Sequence, residues 1–132
     1  ASGAKEIKLG DISPTRDFNY VEDCCRAFIM LAEIDETIGE TINVGSNTEI
    51  SIGDIFKLIK ELMLSDVTFI NKSERNRPEK SEVFRLWCDN KKIIDLIDYK
   101  PQTNIQEGLK KTINWITKPE NLKNYKYEIF NV

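Results

Sequence analysis

The sequence predicts a mixed α/β chain of about four helices and several short strands, and three observations carry that expectation. Apolar residues recur at spacings of three and four in several separate stretches, the mark of helices with one buried stripe. Between them lie short β-branched or alternating runs bounded by Gly, Pro, Asn and Ser. The length of 132 residues, with 40% apolar and 31% charged residues, is that of one globular domain.

Taken in order, Lys5–Leu9 alternates Lys5, Ile7 and Leu9 with Glu6 and Lys8, and Gly10-Asp11 ends it, so it reads as a short strand. Ser13-Pro14 reads as a turn and Asp17–Val21 as an extended aromatic segment. Glu22–Glu33 reads as a helix. Val21, Cys24, Cys25, Phe28, Leu31 and Ala32 form its apolar stripe, Asp23 stands in the positive first turn, and Ile38-Gly39 closes the unit.

Thr41–Val44 is β-branched and bounded by Gly45-Ser46-Asn47, which predicts a buried strand and a loop. Ser51-x-x-Asp54 resembles a capping box and opens a helix with Ile52, Ile55, Phe56, Ile59, Leu62 and Met63 along one face. Val67–Ile70 is a further strand. Asn71–Glu82 is a polar, charged loop containing Pro78. Asp89 is expected to cap a short helix carrying Ile93, Ile94, Leu96 and Ile97, and Tyr99-Lys100-Pro101 to break it. Thr103-x-x-Gln106 reads as the capping box of a last helix, with Ile105, Leu109, Ile113 and Ile116 on one side and Pro119 at its end. The strands are too few and short for an independent sheet, which is expected of a region that leans on something larger.

Composition narrows the chemistry. A net charge of −3 disfavours general nucleic-acid binding, which needs concentrated positive charge. No apolar run approaches the roughly 20 residues that span a bilayer, and no signal-peptide pattern opens the chain. The start at Ala1-Ser2-Gly3, without Met, leads us to expect further sequence upstream. Three cysteines, two of them adjacent, do not make a disulfide framework and point to a reducing, cytoplasmic setting. With no histidine, the chain alone can supply neither a histidine base nor a His-ligated metal.

Two segments hold the residue types of a binding site: Arg16-Asp17-Phe18-Asn19-Tyr20-Val21-Glu22-Asp23, and Arg75 through Val83. The guanidinium fork grips phosphate at two points, and Arg16, Arg75 and Arg77 could together clamp a diphosphate while acids such as Glu82 hold the guanidinium groups in place. Equally, each Arg–carboxylate pair could be a surface ion pair of little worth. Gly45-Ser46-Asn47 before the Ser51 helix superficially resembles a phosphate loop but lacks its glycines and lysine, so an ordinary strand-to-helix turn is expected. Trp87 and Trp115 are expected in the core or at an interface.

The ordered series resembles the C-terminal portion of extended short-chain dehydrogenases/reductases acting on nucleotide sugars. It runs from Ile7-Lys8-Leu9-Gly10 through Arg16–Asp23, Ile42-Asn43-Val44-Gly45-Ser46, Arg77-Pro78-Glu79-Lys80-Ser81-Glu82-Val83 and Asp89-Asn90-Lys91-Lys92 to Gly108–Trp115. The chain looks closest to NAD-dependent 4,6-dehydratases of N-acetylhexosamine nucleotides. That resemblance implies a single region, residues 1–132, forming the small mixed C-terminal subdomain of a Rossmann-type enzyme. It implies diphosphate contacts at Arg16 and Arg77, a nucleotide sugar and the missing Rossmann half as partners, and an assembly that could be a homodimer. Where many relatives have Arg-x-Gly-Asp, this chain has Arg77-Pro78-Glu79-Lys80, which leaves Arg75 as a substitute contact. Asp23 is expected to cap its helix rather than touch ligand. NAD would be bound by the missing N-terminal half, because no Gly-rich dinucleotide turn occurs and no tyrosine has a lysine four residues on. A stand-alone nucleotide-sugar-binding or protein-interaction module is the alternative.

Overall fold

The computed structural model describes residues 3–75 and 81–125. Arg77 through Lys80, and the tail residues Tyr127 and Phe130–Val132, lie outside the described residues. Two small sheets and five helices make up the rest. Strand β1 (Glu6–Leu9) pairs in parallel with β4 (Thr68–Asn71), in the register Glu6–Thr68 to Leu9–Asn71. Both follow the expected strands at Lys5–Leu9 and Val67–Ile70. Helix α2 (Ile52–Leu62) covers this pair, with Phe56 edge-on to Phe69 at 5.4 Å between ring centres. An apolar cavity of about 360 Å³, lined by Ile7, Leu9, Ile55, Phe56, Ile59 and Met63, remains between them.

The second sheet has the order β3-β2-β5. Strand β2 (Thr15–Arg16) runs antiparallel to β3 (Ile50–Ser51) and parallel to β5 (Arg85–Leu86). None of these three was expected, because two-residue strands are too short to show a period of two. They are fixed by long-range backbone bonds, such as Thr15 N–H to the Phe84 carbonyl at 2.8 Å and Asp17 N–H to the Leu86 carbonyl at 3.0 Å.

Helix α1 (Val21–Ala32) forms where expected, but it does not bury the expected stripe. Asp23 and Ala27 are buried and Cys24 and Leu31 half-buried, whereas Val21, Cys25, Phe28 and Ala32 are exposed. The predicted apolar face is wider than the surface the described chain offers to cover it. Thr41–Val44 likewise departs from expectation: it joins no ladder among the described residues. Ile42 and Val44 nevertheless alternate with exposed Thr41 and Asn43 and pack on the core.

That core is small. Ala27 of α1, Ile93 of α3 (Lys91–Ile97) and Tyr99 are its fully buried members, with Leu31, Ile42, Val44 and Ile97 packed around them. Tyr99, which sequence alone reads as a helix breaker, is its largest side chain. The last long helix, α4 (Ile105–Ile116), is capped by Asn104, whose side chain accepts from the Glu107 amide at 2.9 Å; the expected Thr103 cap is displaced by one residue. Asn90 similarly takes the N-cap position of α3, while Asp89 accepts from the Lys91 amide at 3.0 Å. Pro119 ends α4 and also begins the short α5 (Pro119–Leu122).

Candidate functional site

Arg16 occupies the end of β2, with the two neighbouring strands fixing its backbone. Its Nη1 donates to the Thr15 carbonyl at 2.7 Å and its Nη2 to Glu82 Oε1 at 3.3 Å. Both side chains are largely covered, at 21% and 13% exposed, so this is not a freely solvated surface pair. The Arg16 Nε–H, and one N–H on each terminal nitrogen, make no hydrogen bond to the described residues, and a guanidinium held this way can still present two donors to an anion. The structure therefore joins Arg16 and Glu82, residues 66 positions apart. Arg75 closes a single 3-10 turn, Ser73–Arg75, after β4. Arg77 lies outside the described residues.

Asp17, directly after β2, organises the turn at Gly45-Ser46-Asn47. Its carboxylate accepts from the amides of Ser46 and Asn47, each at 3.0 Å, and from the Ser46 hydroxyl at 2.5 Å. These amides are the donors a phosphate would have needed, so the Gly45-Ser46-Asn47 turn is already satisfied from within. Gly45 is required there, since a Cβ would lie 2.2 Å from the Cys88 Cβ. Asn90 completes the anchorage by donating to the Gly45 carbonyl at 3.2 Å. Cys88, against this turn, has its thiol pKa pushed up by burial and by Asp17 and Asp89, and Cys24 is raised by burial, Cys25 and Asp23. Neither is disposed to act as a thiolate at neutral pH.

A second carboxylate does not behave as its position suggested. Asp23 does not cap α1, whose N-cap Tyr20 makes no side-chain bond. It is buried and accepts from the amides of Gln102 and Thr103 at 3.0 and 2.9 Å while pairing with Arg26 at 2.7 Å. Arg26 also donates to the Lys100 carbonyl at 2.9 Å and lies 5.3 Å from the Tyr99 ring centre. Asp23 thus ties α1 to the loop before α4, a contact that no spacing along the chain could reveal.

The edge of the β3-β2-β5 sheet carries a further ion pair. Arg85 grips Glu49 through Nε at 2.9 Å and Nη2 at 2.8 Å, and Thr15 also donates to Glu49. Arg85 stacks over Trp87 at 4.8 Å. Trp87 and Trp115 are both about half exposed rather than in the core, and Trp115 meets Tyr125 edge-on. Among the described residues no cluster of three metal-ligating side chains occurs, and no helix is long and apolar enough to cross a membrane.

Comparison with known proteins gives this geometry a context. Residues 1–112 match the family model described as GDP-mannose 4,6 dehydratase. A putative UDP-glucose 4-epimerase of Methanocaldococcus jannaschii is 32% identical over 110 residues, covering 83% of this chain and 33% of the relative. An epimerase structure from Methanothermobacter thermautotrophicus superposes with a TM-score of 0.80 at 32% identity, over 91% of this chain and 35% of that one. A Bacillus cereus UDP-glucuronic acid 4-epimerase, solved in complex with UDP-glucuronic acid and NAD, superposes with a TM-score of 0.70 at 29% identity, over 86% of this chain and 35% of that one. The chain spans about one third of the length of the relatives it matches.

Proposed function

Because the chain belongs to the NAD-dependent nucleotide-sugar epimerase/dehydratase family of extended short-chain dehydrogenases/reductases, we propose that these residues grip the diphosphate of a nucleotide sugar within a longer enzyme. The observation that carries this reading is Arg16 at the end of β2, held on one side by the Thr15 carbonyl and on the other by Glu82. A guanidinium fixed at two points presents its remaining donors in one orientation, and that orientation is what two-point recognition of a phosphate requires. Arg77 supplies the second arm of the clamp, with Arg75 as its substitute. Partial burial of Glu82 beside Arg16 strengthens their mutual attraction over that of a solvated pair and holds the guanidinium in place.

The residues present do not fit NAD. No Gly-rich dinucleotide turn occurs, and none of Tyr20, Tyr99, Tyr125 and Tyr127 is followed four residues later by lysine. Tyr99, moreover, is fully buried, with its hydroxyl directed to the Asp23 carbonyl at 3.4 Å. The B. cereus relative holds NAD, and in our reading the cofactor and the proton-transferring groups belong to the two thirds of the fold beyond these residues. This region contributes affinity and orientation, not reacting atoms. The family model is that of a dehydratase while the relatives described above are epimerases. Of these activities we favour a cytoplasmic 4,6-dehydratase acting on an N-acetylhexosamine nucleotide, on the resemblance of residues 81–87 and the C-terminal tail.

Steady-state kinetics of the full-length enzyme test the clamp. Arg16→Ala should raise KM for the nucleotide sugar by about 10- to 100-fold, the loss of one charge-assisted contact of about 1.5–3 kcal/mol, with a smaller effect on kcat. Arg16→Lys should recover only part of this, because an ammonium is a point charge without the fork. Wild-type KM values in both Arg16→Ala and Arg77→Ala would rule out the assignment.

A further inference from the structure

The β3-β2-β5 sheet carries ion pairs on both of its faces. Successive residues of a strand point to opposite faces, and Thr15 and Arg16 are successive. Arg16 stands on one face with Ile50 and Leu86, its partners in register, and meets Glu82. Thr15 stands on the opposite face with Ser51 and Arg85, its own partners in register.

On that second face one carboxylate gathers all three strands. Glu49, directly before β3, accepts from the Thr15 hydroxyl on β2 and from Arg85 on β5, whose Nε lies at 2.9 Å and Nη2 at 2.8 Å. The Trp87 ring lies against the same guanidinium, 4.8 Å from its carbon. Arg85, and after it Thr15, holds the Glu49 carboxyl below its ordinary value, so the pair is charged at neutral pH. The Arg85 side chain is 61% exposed, and an ion pair this wet contributes little to stability. Its two-point geometry still fixes where β5 stands relative to β3 and β2.

That fixing matters because the strands are only two residues long. A ladder so short specifies its register weakly, and a slip of one residue turns each side chain to the other face. A slip of β5 would take Arg85 off Glu49 and would also draw Glu82, three residues upstream, away from Arg16. Thr15 is the second link: its hydroxyl donates to Glu49 while its carbonyl accepts from Arg16 Nη1 at 2.7 Å. Both supports of the Arg16 guanidinium therefore belong to segments that Glu49 ties together.

We propose that Glu49 and Arg85 are positioning residues for the diphosphate site, pinning the β2–β5 register from the far face of the sheet so that Thr15 and Glu82 hold Arg16 in its gripping orientation. This rests on the reading of Arg16 as a diphosphate contact. Glu49 and Arg85 act through Arg16 and do not themselves touch the diphosphate.

Nucleoside diphosphates carry the group that Arg16 would hold and do not turn over. UDP and GDP are titrated calorimetrically, with NAD present, into the protein expressed from its complete reading frame, and the tighter binder is used throughout. Arg85→Met and Glu49→Gln should each weaken binding about fivefold, the size of coupling found within one hydrogen-bonded network. Both should keep the wild-type urea midpoint, as loss of an exposed pair implies. In an Arg16→Ala background neither should weaken binding further, because the group they act through is gone. Wild-type affinity in Arg85→Met overturns the proposal. So does a loss that persists in full beside Arg16→Ala, which would report a loosened fold instead of a turned guanidinium. Wild-type affinity in Arg16→Ala alone would strike the diphosphate contact itself, and the positioning role with it.

Discussion

Leu64 follows the C-cap of α2 with φ of +48° and is 96% exposed. The chain turns there through a helix-ending pair of bonds, Ser65 N–H to the Lys60 carbonyl at 3.0 Å and Leu64 N–H to the Glu61 carbonyl at 3.1 Å. Glycine is the residue that position favours, because a Cβ in the left-handed region is strained and here contributes no packing. Leu64→Gly should therefore stabilise the chain by about 0.5–1 kcal/mol, read as a higher urea midpoint at unchanged slope. Gly45 is the opposite case, a position where close approach of the Cys88 side chain rather than backbone angle demands glycine. Among the candidate site residues, Arg16 was legible from its type and place after a turn. Its partner Glu82 was legible only as an acid in a suspicious loop, since nothing local says which of many acids reaches it across 66 residues.

At the scale of elements, apolar periodicity located α1, α2, α3 and α4 and the β1/β4 pair, because each is long enough for its period to repeat. Strands β2, β3 and β5 left no trace in the pattern, their two-residue lengths being set by pairing partners. Helix starts were misplaced where two cap-competent residues stand side by side. Thr103 and Asn104 are such a pair, and tertiary structure decides between them: the Thr103 amide is taken by Asp23, which leaves Asn104 to begin the helix. Asn104→Ala should accordingly cost about 1 kcal/mol in thermal or urea unfolding. Gln106→Ala, at the exposed position where a Thr103 capping box would have placed its reciprocal partner, should stay within about 0.5 kcal/mol of wild type.

Across the whole molecule, Asp23 links parts of the chain 79 and 80 residues apart. Burial by itself would raise its pKa, but the Arg26 guanidinium and the Gln102 and Thr103 amides outweigh burial and hold it below the usual 3.8. A folded-state value below the unfolded one means that the unfolded chain binds the proton more readily. The stabilisation is therefore complete above the unfolded value of 3.8 and is lost as pH falls through the lower folded one. Asp23→Asn should lower stability by about 2–4 kcal/mol at neutral pH, and the gap from wild type should close only in strongly acid solution, below about pH 4. Urea midpoints compared across pH check both the size and the window.

The sequence by itself determined the class of fold, the main helices, the β1/β4 strands and the family, because these rest on local periodicity and on ordered residue types. It also nominated Arg16 as a residue whose guanidinium could grip a diphosphate. Only the tertiary structure decided that Glu82 orients Arg16, that Asp17 fills the Gly45–Asn47 turn, and that Asp23 is a crosslink rather than a cap. It alone showed that Val21, Phe28 and Ile29 of α1 stand exposed and that Thr41–Val44 joins no ladder among the described residues. The reason is physical: periodicity reports how much surface an element must bury, while the identity of the partner is set by contacts between residues far apart in the chain.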